Sequence, residues 1–275
     1  MIYIIFSIMI IFIIIDYITK NVDITEVLPN KYHSNNFMYK NNYTNFLDNK
    51  NYVFIVLKSD KKRREHIRSL IKQNNIEKFH IFDAVYGKNI NIDKLKNDGY
   101  LNDSYVKLPY FKLGALGCTL SHVLILEEFV KSNMERITVF EDDVFFDKDY
   151  HNRLANFLAN MPPENDISQL LHHPLQMDKI KALQNVSDGN KYIMKGIPQY
   201  GTVGYIITKA GARKLLKRIK PIYTAIDDMI MDQIKNDIIT SYIPKENIII
   251  MPYKFKSNIW KQDALPAGYV PPKID

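Results

Sequence analysis

Glu141, Asp142 and Asp143 stand in a row between the apolar runs Ile137-Thr138-Val139-Phe140 and Val144-Phe145-Phe146. A β-branched and aromatic run of this length reads as a buried strand. Three carboxylates at its end gather more negative charge than an apolar interior tolerates unpaired, so a positive partner is required. In an α/β sheet, ligands bind in the crevice beyond the carboxyl ends of the strands, and the simplest partner there is a divalent cation carrying phosphates. A solvated acidic turn is the competing reading. The apolar residues on both sides of the triplet argue against it.

Composition sets the outer limits. The chain has 275 residues, 46% hydrophobic and 24% charged. That is enough for one large α/β domain or two small ones with their own cores, and it excludes a disordered protein. The 37 basic and 30 acidic residues leave a net charge of +7, which suits an anionic ligand. No arginine-rich stripe interleaved with aromatics is present, so no nucleic-acid partner is expected. The single cysteine, Cys118, excludes an internal disulfide and a cluster of cysteine zinc ligands. No residue near it in sequence would activate it as a nucleophile, and its expected role is small buried packing.

The triplet needs a frame to hold it. Residues 1–15 are almost unbroken Ile, Phe, Tyr and Met, followed by Asp16 and Lys20. No basic residue precedes this run and no small-residue cleavage site closes it, so a signal anchor fits better than a cleaved signal peptide. The expected organisation is a single-pass membrane anchor over residues 1–20, a polar stem or linker over 21–50, and a folded domain over 51–275 with an extended C-terminal tail. Lys20, Lys31 and Lys40 follow the anchor and favour a cytoplasmic body by the positive-inside rule, with a lumenal body left open.

Within the domain, Tyr52 to Leu57 predicts a first strand. Ile67, Leu70 and Ile71, at helical spacing, predict a helix over 61–74. Phe79 to Phe82 predicts a second strand and residues 83–87 a turn. A helix from Val123 to Lys131 runs straight into the Ile137 strand, the order a parallel sheet with crossover helices requires. Leu154 to Phe157 reads as helical and Ile167 to Leu171 as a strand. Further on come a strand over 202–208, helices over 209–219 and 226–234, and a last strand over 248–251.

Several separated blocks together resemble glycosyltransferase family 25, which includes bacterial lipopolysaccharide glycosyltransferases and procollagen galactosyltransferases. They are Ile55-Val56-Leu57 with Arg63, Phe82-Asp83-Ala84-Val85 with Gly87, and Gly117-Cys118 with Ser121-His122, followed by a helix and then by Val139 through Asp143. Gly204-Tyr205, Gly211-Ala212 with Leu215-Leu216, and Asp227-Asp228 complete the match, which runs from Tyr52 to Ile234. Ala115, where many members carry an acid, and the stretch Ser59 to Lys62 depart from the family pattern.

The resemblance implies an α/β fold of GT-A type, Rossmann-like, with a mixed, mainly parallel sheet. It also implies a UDP-sugar donor such as UDP-galactose or UDP-glucose, a Mn²⁺ or Mg²⁺ ion, and transfer with inversion to a glycan or a hydroxylated, hydroxylysine-like acceptor. On that pattern Asp143 holds the metal together with Glu141, and Glu141 and Asp142 face ribose or a metal-bound water. Arg63 would contact phosphate or uracil oxygens, the alternative being a solvated arginine on a helix surface. The general base falls on Asp227 or Asp228, with Asp228 preferred, against a plain N-cap and first-turn acid. Thr119 and Ser121 read as helix caps, and His122, beside them at a helix start, as a structural hydrogen-bonder in preference to a metal or phosphate ligand. His172 and His173 stay open between a ligand, an acceptor contact and a surface pair.

Two other functions compete. A catalytically inactive relative would be an anchored binding module, since a fold does not fix its function. A metal-dependent phosphotransferase or nuclease could use the same carboxylates, but no phosphate-cradling loop of the GxxxxGK[ST] kind is present.

Overall fold

The computed structural model describes residues 47, 50–185, 189–252, 255 and 259. The expected anchor over 1–20, the linker over 21–50 apart from Leu47 and Lys50, and the tail beyond 259 lie outside the described residues. The described chain runs β1 (Tyr52–Val56), α1 (Lys61–Gln73), β2 (Phe79–Asp83), α2 (Ile92–Asn97), α3 (Asp103–Val106) and α4 (Leu113–Lys131). It continues through β3 (Arg136–Glu141), β4 (Phe145–Phe146), α5 (Tyr150–Ala159), β5 (Ile167–Gln169), α6 (Met177–Asn185) and β6 (Ile193–Lys195). The last elements are β7 (Gly204–Thr208), α7 (Lys209–Ile219), α8 (Ile226–Lys235), β8 (Tyr242–Pro244) and β9 (Ile249–Ile250).

The central sheet has five strands in the order β2-β1-β3-β7-β5. β1 pairs parallel with β2 and β3, whereas β7 pairs antiparallel with both β3 and β5. β7 alone therefore runs against the other four, and the sheet is mixed and mainly parallel. Val53, Phe54, Ile55 and Val56 are all buried, because helices and loops cover both faces of β1. That two-sided burial is why its sequence reads as a continuous apolar run rather than an alternating one. Phe54 of β1 stacks on Phe140 of β3 with ring centroids 5.2 Å apart. Both rings are fully buried, each contributing about 1.5–3 kcal/mol of hydrophobic stabilisation.

α4 is the one described helix long and apolar enough to cross a membrane, yet most of it is packed inside the protein, as suits a core helix. It starts at Leu113, well before the expected Val123. Gly114 and Gly117 look like helix breakers in sequence. Gly117 serves another purpose. A Cβ there would lie 2.5 Å from the Val85 carbonyl oxygen and 3.0 Å from the Gly87 nitrogen, so its absence lets α4 press against the turn after β2. Ser121 stitches the same contact, accepting from the Val85 N–H at 2.9 Å and donating to the Gly117 carbonyl at 2.8 Å. Thr119, Ser121 and His122 thus sit in the middle of a helix, and the expectation that they cap or flank a helix start is corrected.

α2, α3, α6, β6 and β8 have no counterpart among the sequence expectations, whereas β9 falls within the strand expected over 248–251 and only its pairing with β4 is new. The three helices have nine residues or fewer, too short for a clear apolar period. β4 follows the acidic triplet directly and pairs antiparallel with β9, which ties down the chain on the far side of the triplet.

Candidate active site at the end of the central strand

The triplet occupies the bend between β3 and β4. Phe140 and Val144 on either side are fully buried, so the three acids can escape neither into solvent nor into the core. Their side chains keep 25%, 14% and 24% of their surface exposed, in the order Glu141, Asp142, Asp143. The Glu141 N–H donates to the Val203 carbonyl at 2.9 Å, which fixes the triplet against the entry to β7.

Arg63 reaches the triplet because α1 begins directly beyond the carboxyl end of β1. Asp60 caps that helix, accepting from the Arg63 N–H at 3.0 Å. The guanidinium donates to Asp142 Oδ1, lies 3.9 Å from Asp143 Oδ2 and stacks over the Phe255 ring at 5.1 Å. Only 5% of Arg63 is exposed, so the reading of it as a solvated surface arginine is excluded.

The three carboxylates have different surroundings. Burial pushes the Asp142 carboxyl up to about 6 against the opposing pull of Arg63. Burial and the neighbouring Glu141 and Asp142 charges push Asp143 up to about 7. Asp143 Oδ1 is buried without a hydrogen-bond partner, an unusual condition for a polar atom inside a protein. At Glu141 burial also acts upward, but His122, Thr202 and Arg63 together hold its carboxyl below the ordinary range. Thr202 Oγ1 donates to Glu141 Oε1, and His122 Nε2 faces the same oxygen at 3.4 Å, outside hydrogen-bond geometry.

Glu141 and Asp143 open into a cavity of about 230 Å³, which Asp227 lines from another side. The start of α8 is pinned to α4 by the Ile226 N–H donating to Thr119 Oγ1 at 3.1 Å. Asp227 Oδ1 accepts from the Asp228 N–H at 3.1 Å and Oδ2 from the Gly201 N–H at 3.4 Å. Burial raises the pKa of both aspartates, and the Asp228 charge raises Asp227 further. Asp228 accepts from Thr224 Oγ1 at 3.1 Å and is absent from the cavity lining. The structure therefore brings Glu141, Asp143 and Asp227 together, sets Asp142 with Arg63 beside them, and turns Asp228 away.

The remaining wall is the segment before β7. Gln169 Nε2 donates to the carbonyls of Gln199 at 3.1 Å and Gly201 at 2.7 Å, and Gly201 takes φ +88°, a conformation glycine adopts without strain. The histidine pair divides. The His172 ring nitrogen lies 2.7 Å from the Pro244 carbonyl, and burial lowers its pKa. His173 lines the cavity and meets the Tyr200 ring edge-on at 5.5 Å. Sequence reasoning missed Thr202 and Tyr200, for nothing in a strand-like run shows which residue will face a carboxylate 61 positions earlier.

The family model for glycosyltransferase family 25, described as an LPS biosynthesis protein, matches residues 48–230. Procollagen galactosyltransferase 1-B of Xenopus laevis is 30% identical over 169 residues, covering 60% of this chain and 28% of that protein. A glycosyltransferase 25 family member of Aedes aegypti is 34% identical over 148 residues, covering 51% of this chain and 23% of its own length. The chain thus spans less than a third of these relatives. Among solved structures, mouse xyloside xylosyltransferase 1 in its apo form aligns with 71% of this chain and 65% of its own at 10% identity and a TM-score of 0.33, too distant a match to fix the fold.

Proposed function

The chain belongs to glycosyltransferase family 25, and from that premise we propose that residues 51–275 form a GT-A type domain that transfers galactose or glucose from a UDP-sugar to a glycan or a hydroxylated side chain, with metal dependence and inversion. The observation that carries this reading is Asp143 Oδ1, a buried acceptor with no donor, in a cavity shared with Glu141 and Asp227. An orphaned carboxylate oxygen beside a second carboxylate is a hard oxygen set, and these residues fit Mn²⁺ or Mg²⁺. Asp143 and Glu141 would hold the ion. When bound, it would supply Lewis-acid charge that neutralises the departing diphosphate.

The chain's own residues have separate roles in this reading. Asp227, on the cavity and with its pKa raised by burial, takes the proton from the acceptor hydroxyl. The acceptor oxygen then bonds the anomeric carbon from the face opposite the leaving group, and the bond to the diphosphate breaks. Sequence alone prefers Asp228 as base, but its hydrogen bond to Thr224 and its position off the cavity favour Asp227. Arg63 holds Asp142 in place and offsets the charge of the triplet, which adapts its expected role as a phosphate or uracil contact. Asp142 stays within reach of a nucleotide at the cavity edge. The apolar segment over residues 1–20 would anchor the enzyme to a membrane, a reading that rests on sequence alone.

Full-length protein supplied with UDP-galactose or UDP-glucose and a panel of acceptors should release UDP only when Mn²⁺ or Mg²⁺ is added, and Asp143→Ala should abolish the release. Full activity in Asp143→Ala would end the metal assignment. Glycan binding without turnover of any nucleotide sugar would leave the inactive binding module instead.

A further inference from the structure

We propose that Cys118, His122 and Glu141 form a binding site for a thiophilic divalent ion, zinc above all, in the wall of the same cavity but with a ligand set different from the oxygen pair at Asp143. The ligand atoms of these three side chains lie within 4.8 Å of one another. His122 Nε2 faces Glu141 Oε1 at 3.4 Å, and Cys118 Sγ lies 4.0 Å from the same oxygen. Zinc–ligand bonds of about 2.0–2.3 Å at tetrahedral angles place neighbouring ligand atoms about 3.3–3.6 Å apart. The His–Glu separation already fits, and the Cys118 sulfur, 4.0 Å from Glu141 Oε1 and within 4.8 Å of the histidine nitrogen, must draw in by about 0.5–1 Å.

The secondary structure explains why three such residues meet. Cys118 and His122 are four apart on α4, which puts both on one helix face, and Glu141 ends the adjacent β3. His122 is completely buried, yet its Nε2 has no hydrogen-bond partner. Its other nitrogen, Nδ1, lies 3.0 Å from the hydroxyl of the buried Tyr205. With Nε2 protonated the ring supports the Glu141 carboxylate; when the Tyr205 hydroxyl accepts the Nδ1 proton instead, the Nε2 lone pair is freed for a cation between ring and carboxylate. Metal-bound histidines commonly donate their second ring nitrogen in this way. Thr202, which donates to Glu141 Oε1, would serve the carboxylate similarly.

Three protein ligands with an open face are the pattern of a zinc site that keeps one position for water or an exogenous group. Here Cys118 and Glu141 both line the cavity. On binding, the Cys118 thiol loses its proton to solvent as the sulfur–metal bond forms. Burial holds that proton strongly in the metal-free protein, but a coordinating metal ion removes it outright. Glu141 belongs to both ligand sets, so a zinc ion here would withdraw it from the Asp143 position. Zinc would then act as an antagonist of the magnesium or manganese form, distinguished from it by softness of ligands.

The test needs no sugar chemistry, so its failure is separable from failure of the proposed transfer reaction, on whose cavity the site rests. Metal-free full-length protein is titrated with Co²⁺ as a spectroscopic stand-in. The expected result is a near-ultraviolet sulfur-to-cobalt charge-transfer band together with intense visible bands of a four-coordinate ion, all displaced by Zn²⁺. Cys118 is the only cysteine in the chain, so a charge-transfer band has one possible source. The band should vanish in Cys118→Ser and persist in Asp143→Asn. Tyr205→Phe, which removes the hydroxyl beside His122, should weaken Zn²⁺ binding about 10–100-fold. The proposal is overturned by folded wild-type protein that gives no charge-transfer band at saturating Co²⁺. It is equally overturned if the Zn²⁺-induced rise in melting temperature is unchanged in Cys118→Ser.

Discussion

The central sheet carries a carboxylate with a buried oxygen at each of its ends and treats the two in opposite ways. Asp166, just ahead of β5 and 3% exposed, accepts from Lys214 Nζ at 2.7 Å and from the Thr240 N–H at 2.8 Å. Its own carbonyl takes the Thr208 N–H at 2.9 Å, so the carboxylate and the backbone around it are satisfied locally. At the other end, beyond β3, Asp143 keeps a buried oxygen without a donor and stands beside two more acids with one arginine among them. A buried carboxylate oxygen is common to both. What separates structure from site is whether the buried charge is answered within the fold.

Neutralising the proposed base gives the largest contrast. Asp227→Asn should lower sugar transfer about 10²–10⁴-fold, read from initial rates, while the melting temperature holds. A melting loss in step with the activity loss would put Asp227 on the structural side. Next in size is Asp166→Ala, which strands the Thr240 N–H and releases Lys214. It should cost about 1–3 kcal/mol in denaturant unfolding, whereas Asp143→Asn should cost nothing in metal-free protein. Equal losses in the two variants would erase the distinction between the ends.

A subtler effect is the pH profile of the metal-free protein. The folded state raises the Asp143 carboxyl from 3.8 to about 7, so the folded form binds that proton more tightly than the unfolded chain does. The stability associated with it is fully present below 3.8 and is lost as pH climbs through about 7. Thermal unfolding across this window should therefore slope downward in the wild type and less steeply in Asp143→Asn, and added Mn²⁺ should flatten the wild-type curve. Identical slopes with and without the Asp143 carboxyl would show that its burial is harmless. Smallest of all, Asp228→Asn should leave transfer within a factor of a few, because its carboxyl already answers Thr224 away from the cavity. A collapse of activity there would return the base to Asp228.

Much of the frame was legible. β1, α1 and α7 fall where apolar runs and helical periods place them, since those signals are local. The acidic triplet also announces itself, because charge between two apolar runs is improbable without a purpose. The direction of β7 was not legible, being set by how the intervening chain crosses the sheet. Gly117 misleads for a definite reason: in sequence a glycine that breaks a helix and one that admits a neighbouring backbone look alike. Choosing between Asp227 and Asp228 depends on a rotation of about 100° around a helix, which places adjacent residues in different surroundings. Arg63 stands out in sequence but its Asp142 partner does not, as 79 residues separate them.

The reversed course of β7 carries one more implication. Since it runs against its neighbours, the chain reaches the acid end just before entering β7, whereas the acids of β3 arrive there as that strand finishes. The acids of the triplet and the 199–203 segment opposite them thus arrive through separate connections. Lengthening or rewriting the stretch between β6 and β7 reshapes the cavity wall while leaving the register of β3 untouched. A scaffold arranged this way can diversify its clientele over generations without renegotiating its chemistry.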